Sequence, residues 1–139
     1  MLLLAVLDTN VIVSALLSSK DDSATVQVIH ELFSDSFRPV VSKEIMDEYA
    51  EVLHRSKFHF TTEIVDAMLD AIEEKAEVVA PAPSGAILPD MKDLPFYEVV
   101  MEKREDDAYL VTGNTKHFPK EPFIVTAREF LEILNGQIE

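Results

Sequence analysis

The chain has no cysteine among its 139 residues, which removes disulfide scaffolds, thiolate zinc sites and cysteine nucleophiles from consideration. It is also poor in positive charge: 12 Lys and Arg stand against 26 Asp and Glu, for a formal net charge of −14. Broad, charge-driven binding to nucleic acid needs phosphate contacts from Lys and Arg, and the balance argues against it. It leaves open a site in which carboxylates reach a phosphate through bound metal ions, and it also suits a basic partner protein or simple solubility. Long hydrophobic runs are missing too. The opening MLLLAVLD is apolar but stops at Asp8, carries no basic leader and is too short to span a bilayer. The expectation is a soluble, cytoplasmic protein with no membrane association. Repeats, low-complexity tracts and clear linkers are absent as well. The turn-rich stretch Pro81-Ala-Pro-Ser-Gly-Ala86, with Pro89 beyond it, reads as a surface loop inside one domain covering 1–139.

What is present is an ordinary globular mix, 47% hydrophobic and 27% charged, with enough apolar material for a core. Its pattern alternates between strand and helix. Leu2–Leu7 is a continuous apolar run, as in a strand buried on both faces. A helix is predicted over Asn10–Leu17, and a second, capped by Asp22 or Ser23, to about Phe33. Phe37–Val41 reads as a strand. Ser42 caps a helix to about His54, and Thr61 or Thr62 opens another that ends near Lys75. Glu77–Ala80 is a third strand. Asp93–Glu102 reads as helix, Ala108–Thr112 as a strand stopped by Gly113, and Pro122–Val125 as the last strand. Thr126 caps a final helix that ends before Gly136. Strands separated by helices of this length imply an α/β protein, three-layered α/β/α, with a central parallel sheet of about five strands. In such sheets ligands bind beyond the carboxyl ends of the strands.

Polar residues collect at those ends. Asp8 closes the first strand and opens a helix, where a carboxylate either points into the crevice or caps the helix. On the helix after Ser42, Ile45, Tyr49, Val52 and Leu53 form the apolar face. Glu48 lies about 80° from the centre of that face, while Glu44, Asp47 and Glu51 lie further toward solvent. Glu48 is thus the acid best placed to edge inward, with a boundary acid bending out to water as the other reading. Asp93 starts a predicted helix and has the same two readings as Asp8. Asp90 is a loop acid, and Glu98 lies one to two turns beyond Asp93, facing either the same pocket or solvent. After the Ala108–Thr112 strand, Thr112 and Asn114 offer neutral donors and oxygens around the tight turn that Gly113 permits. Lys116 and His117 follow, as substrate-phosphate contacts or as packed loop residues.

Together these segments resemble a known family. Leu-Asp-Thr-Asn-Val-Ile-Val-Ser-Ala at 7–15 resembles the opening motif of PIN domains, and Ser42–Leu53 resembles the second, with its acid at Glu48. Asp90–Phe96 looks like the third, with its acid at Asp93, and Val-Thr-Gly-Asn-Thr-Lys-His-Phe-Pro at 111–119 like the fourth. Within the family, the resemblance is to the toxins of bacterial and archaeal toxin–antitoxin pairs. It implies a PIN-like fold and a metal-dependent endoribonuclease that hydrolyses single-stranded RNA. Asp8, Glu48 and Asp93 would hold Mg²⁺ or Mn²⁺, and Asn10, Thr112, Asn114 and Glu98 would support them. It also implies an antitoxin protein partner and a homodimer whose pairing frames a substrate groove; Lys43, Arg55, Lys57, Lys116 and Lys120 read either as its lining or as solvated surface. One position departs from the pattern: many PIN domains carry Asp where this chain has Asn114. An amide brings no charge, which weakens a second metal site unless Glu98 or Asp90 compensates. The departure supports an alternative expectation, a PIN-fold module of weak or no catalysis that binds an antitoxin or RNA. A haloacid dehalogenase-type phosphatase would need a second Asp two residues after Asp8, where Asn10 stands. A response-regulator receiver would need a further acid pocket and a late Lys in a different layout.

Overall fold

A computed structural model describes residues 2–136. Its framework is a sheet of five parallel strands in the order β3-β2-β1-β4-β5, built from β1 (Leu3–Leu7), β2 (Phe37–Val41), β3 (Glu77–Val78), β4 (Tyr109–Val111) and β5 (Ile124–Val125). Six α-helices flank it: α1 (Thr9–Leu17), α2 (Ala24–Phe33), α3 (Lys43–Leu53), α4 (Thr62–Lys75), α5 (Leu94–Glu102) and α6 (Ala127–Gly136). Helices α1, α2 and α6 pack side by side, as do α3, α4 and α5, giving the three-layer α/β/α arrangement that the alternating pattern predicts.

The apolar run of β1 takes the central place because both of its faces are covered. Ala5, Val6 and Leu7 are buried, with β2 on one side and β4 on the other. Burying one such Val or Leu side chain contributes about 1.5–3 kcal/mol, so this strand is the most costly one to misplace. Helix α3 follows the predicted face, with Ile45, Tyr49 and Leu53 buried. Phe37 of β2 and Phe130 of α6 meet edge to face with ring centroids 5.0 Å apart, tying the last helix to the sheet.

Strand β2 has the expected bounds, Phe37–Val41, and the other four strands are shorter than the sequence suggests. The regular pairing of β3 ends at Val78, although the Val79 amide still donates to Val41 O at 2.9 Å. At β4 the flanking Ala108 and Thr112 fall outside the strand, and Pro122 and Phe123 precede β5. Helix α1 begins at Thr9, one residue earlier than expected. Helix α5 begins at Leu94, after a short 3₁₀ turn over Met91–Asp93. Helix α6 includes Gly136 instead of stopping before it.

The chain builds β1, β2 and β3 outward in one direction, then returns to place β4 on the other side of β1. This is a topological switch point, and the crevice at the carboxyl ends of β1 and β4 is where such sheets receive ligands. Asp8 follows β1 and Thr112 follows β4, so both border that crevice. No helix among the described residues is long and apolar enough to cross a membrane.

Candidate metal centre

Serine and threonine do the local capping in this fold. Ser23, Ser42 and Thr61 each accept a hydrogen bond from the backbone N–H three residues on. The two aspartates in equivalent positions do not cap. Asp8 precedes α1 and Asp93 precedes α5, yet neither side chain makes a cap hydrogen bond. Both carboxylates turn to tertiary partners instead. Tertiary contacts therefore dominate at both, although the Asn10 backbone amide still favours the charged Asp8 carboxylate.

Asp8 is 7% exposed. Its Oδ2 accepts from Thr112 Oγ1 at 2.8 Å, and its backbone N–H donates to Val111 O at 2.9 Å, so β4 holds both its side chain and its main chain. The Thr112 hydroxyl also accepts from the Asn114 N–H at 3.0 Å. Burial raises the Asp8 pKa above the ordinary carboxylate value; Thr112 opposes the rise, while the negative charges of Asp93 and Glu48 add to it. The Asn10 backbone amide lowers it slightly, while the Asn10 side chain sits at an exposed position on the first turn of α1.

Glu48 points inward from the half-buried flank of α3, where its Oε2 accepts a short hydrogen bond from Thr9 Oγ1. Beside it the wholly buried Tyr49 donates its hydroxyl to Leu7 O at the end of β1. Burial pushes the Tyr49 phenol well up, and the charges of Asp8 and Glu48 push it further, so it stays a neutral donor. Asp93 reaches the cluster from the start of α5. Its side chain is 15% exposed, and its Oδ2 lies 3.0 Å from His117 Nδ1. Burial raises its pKa, and the neighbouring Asp90 adds to the rise against the His117 hydrogen bond. His117 Nε2 lies 2.8 Å from Asn114 Nδ2.

Asp8 thus lies within electrostatic reach of both Glu48 and Asp93 at the switch point, with Thr112 bonded to Asp8 and His117 to Asp93. Among the described residues no lysine or arginine forms an ion pair with any of the three. Two of the acids, Asp8 and Asp93, have pKa values raised mainly by burial, and His117 beside Asp93 carries positive charge only when protonated. Clustered carboxylates of this kind suit a hard divalent cation. Among the described residues, the group with one ligand atom from each residue, all within 4.8 Å of one another, is Asp90, Asp93 and His117; Asp8 and Glu48 stand outside it.

Glu98 lies elsewhere. Its Oε2 accepts from the Ser84 N–H at 2.6 Å, pinning the proline-rich loop to α5, and it does not act on Asp8 or Asp93. A glutamate one turn into α5 faces the loop that crosses that helix, which its spacing from Asp93 could not reveal. Lys43 and Arg55 are paired within α3, to Asp47 and Glu51, and Lys57 lies over the Phe58 ring. Lys116 and Lys120 border a groove of about 410 Å³ with Phe118, Pro119, Glu121 and Glu129, and none of Asp8, Glu48 and Asp93 lines it.

Sequence reasoning missed Thr9 and Tyr49. Thr9 stands in the Asp-Thr-Asn opening, where its type hints at a polar partner, but only the fold places Glu48 opposite. Tyr49 reads as one more apolar-face residue of α3, and its buried hydroxyl is invisible to periodicity.

The parallel sheet and its acidic crevice define an α/β protein with a candidate acidic site at the switch point. The PIN domain family model matches residues 5–116, and the chain belongs to that family. The family is generally one of metal-dependent nucleases. No curated protein and no solved structure matches the chain. Beyond the matched segment, β5 and α6 complete the same sheet and its helical layer.

Proposed function

We propose that the chain is an endoribonuclease that hydrolyses single-stranded RNA, with Asp8, Glu48 and Asp93 holding Mg²⁺ or Mn²⁺. The observation that carries this reading is Asp8: a carboxylate buried at the switch point, facing two further acids and no lysine or arginine. Apo, such an arrangement is electrostatically unfavourable, and a divalent cation removes the penalty. When bound, the ion supplies Lewis acidity and a water of lowered pKa. The protein's own part is positioning. Thr112 fixes one oxygen of Asp8, Thr9 fixes one of Glu48, and Tyr49 anchors the β1 end from which Asp8 projects. Lys116 and Lys120 are the cations we assign to the RNA backbone, because they border one groove and Lys116 adjoins His117 in the turn Thr115–His117.

The motifs at 7–15, 42–53, 90–96 and 111–119 support a toxin role with an antitoxin protein as partner, in a cytoplasmic, homodimeric, single-domain protein. Purified chain should cleave single-stranded RNA with Mn²⁺ or Mg²⁺, and cleavage should vanish in excess EDTA and in Asp8→Asn. Cleavage that survives either treatment overturns the assignment. Tight Mn²⁺ binding without cleavage would favour the binding-module alternative, for which the uncharged Asn114 is the supporting feature.

A further inference from the structure

We propose that Asp90, Asp93 and His117 form a mixed oxygen–nitrogen metal site in which the His117 imidazole binds the ion directly and selects Mn²⁺ over Mg²⁺. The inference shares Asp93 with the proposed nuclease centre and rests on that reading for Asp93 alone; it does not require RNA cleavage.

The donor atoms are already close to ligand spacing. Two donors about 2.1 Å from one ion and at right angles to each other lie roughly 3.0 Å apart. Asp93 Oδ2 and His117 Nδ1 are 3.0 Å apart, and an oxygen of Asp90 joins them within 4.8 Å. All three residues are held by backbone structure. Asp90 caps the 3₁₀ turn Met91–Asp93 by accepting from the Lys92 N–H at 3.0 Å through Oδ1, and that leaves Oδ2 free. Asp93 sits at the junction of that turn with α5. His117 ends the 3₁₀ turn Thr115–His117, and buried Phe118 anchors the next position.

Asn114 completes the arrangement. Without an ion, a neutral His117 donates from Nδ1 to Asp93 and accepts at Nε2 from the Asn114 amide at 2.8 Å. With Nδ1 bound to an ion, the proton moves to Nε2, which must then donate. A 180° flip of the Asn114 amide turns its oxygen to that proton. A histidine ligand is typically oriented by such an acceptor on its other ring nitrogen. An aspartate at 114 accepts in the ion-bound state but offers no donor to Nε2 in the ion-free one, so the amide serves both states of a neutral ring. Asn114, the departure from the common motif, thereby becomes the outer support of a nitrogen ligand.

Ion choice follows from the nitrogen donor. Mg²⁺ dehydrates reluctantly and keeps an oxygen shell, whereas an imidazole adds affinity for first-row transition ions, least for Mn²⁺ and more for the later ones. The test is Mn²⁺ and Mg²⁺ calorimetry on the full chain, with pulsed electron paramagnetic resonance of bound Mn²⁺ reading coupling to ¹⁴N. Wild type should show the nitrogen coupling. His117→Ala should lose it and bind Mn²⁺ about tenfold more weakly or worse, with Mg²⁺ affinity changed far less. His117→Gln, which keeps a polar side chain on the turn, should behave the same way and guards against a folding artefact. Asp8→Asn should keep the coupling, since Asp8 is not a ligand of this ion. No coupling in wild type, or equal Mn²⁺ affinity in wild type and both His117 variants, overturns the site. Coupling without RNA cleavage leaves the site standing and defeats the nuclease assignment. Cleavage without coupling does the reverse.

Discussion

Thr112 Oγ1 donates to Asp8 Oδ2 at 2.8 Å, a contact between residues 104 positions apart that joins the exits of the two neighbouring strands β1 and β4. It fixes one oxygen of the buried acid from the neighbouring strand's exit. Thr112→Val keeps the shape and removes the donor. The variant should lose about 1–3 kcal/mol of stability in urea denaturation, the usual effect of leaving a buried polar group without its partner. Its Mn²⁺ affinity should fall about 10–100-fold by calorimetry.

Asp8→Asn should change thermal stability with opposite sign in the presence and absence of metal. Burial raises the folded-state pKa of Asp8 above the unfolded value. In the window between the two, the folded chain binds the extra proton, so apo stability falls as pH rises through it and stays lower beyond it. At neutral pH with EDTA the Asn variant, free of that penalty, should melt higher than wild type. With saturating Mn²⁺ it should melt lower, because wild type gains about 2.7 kcal/mol when the free ion is at 100 times its Kd and the variant gains less. Scanning calorimetry at pH 7 in both conditions checks the pair of signs.

Metal binding should release protons in mildly acid buffer. Both Asp8 and Asp93 have pKa values raised mainly by burial, so protons compete with the ion at higher pH than they would at ordinary carboxylates. Titration calorimetry in two buffers of different ionisation enthalpy should find net release that grows as pH falls toward the raised values and vanishes well above them. Release that does not change with pH would show that neither acid takes part.

Tyr49 should be spectroscopically silent in the native state. The chain has three tyrosines, and the Tyr49 phenol is pushed well up by burial and by the charges of Asp8 and Glu48. An alkaline titration at 295 nm should leave one tyrosine un-ionised until the protein unfolds, and Tyr49→Phe should remove that late component. The same variant should cost about 1 kcal/mol or more, since Leu7 O loses its side-chain donor.

Much of this architecture can be read without coordinates. The unbroken Leu2–Leu7 run specifies a doubly covered strand, and the alternation of helix and strand periods specifies a parallel sheet. The hydroxyl caps at Ser23, Ser42, Thr61 and Thr126 come from local chemistry alone. Glu48 is singled out by its angle to the apolar face of α3, because helical geometry converts spacing into direction. What spacing cannot convey is the partner. Glu98 and Glu48 have similar local surroundings in sequence, yet one accepts from Ser84 of a loop and the other from Thr9 of a helix.

Local propensity and position along the chain set the order of elements, the placing of acids at strand and helix ends, and the Asn at 114. Long-range packing alone turned Asp8 and Asp93 toward tertiary partners, set Thr9, Tyr49 and Thr112 around the centre, and put Asn114 and Asp93 on the two nitrogens of one imidazole. The physical reason is range. Capping and periodicity act within a few residues, whereas the charge of a buried carboxylate is set by groups that the sheet order brings together from distant parts of the chain.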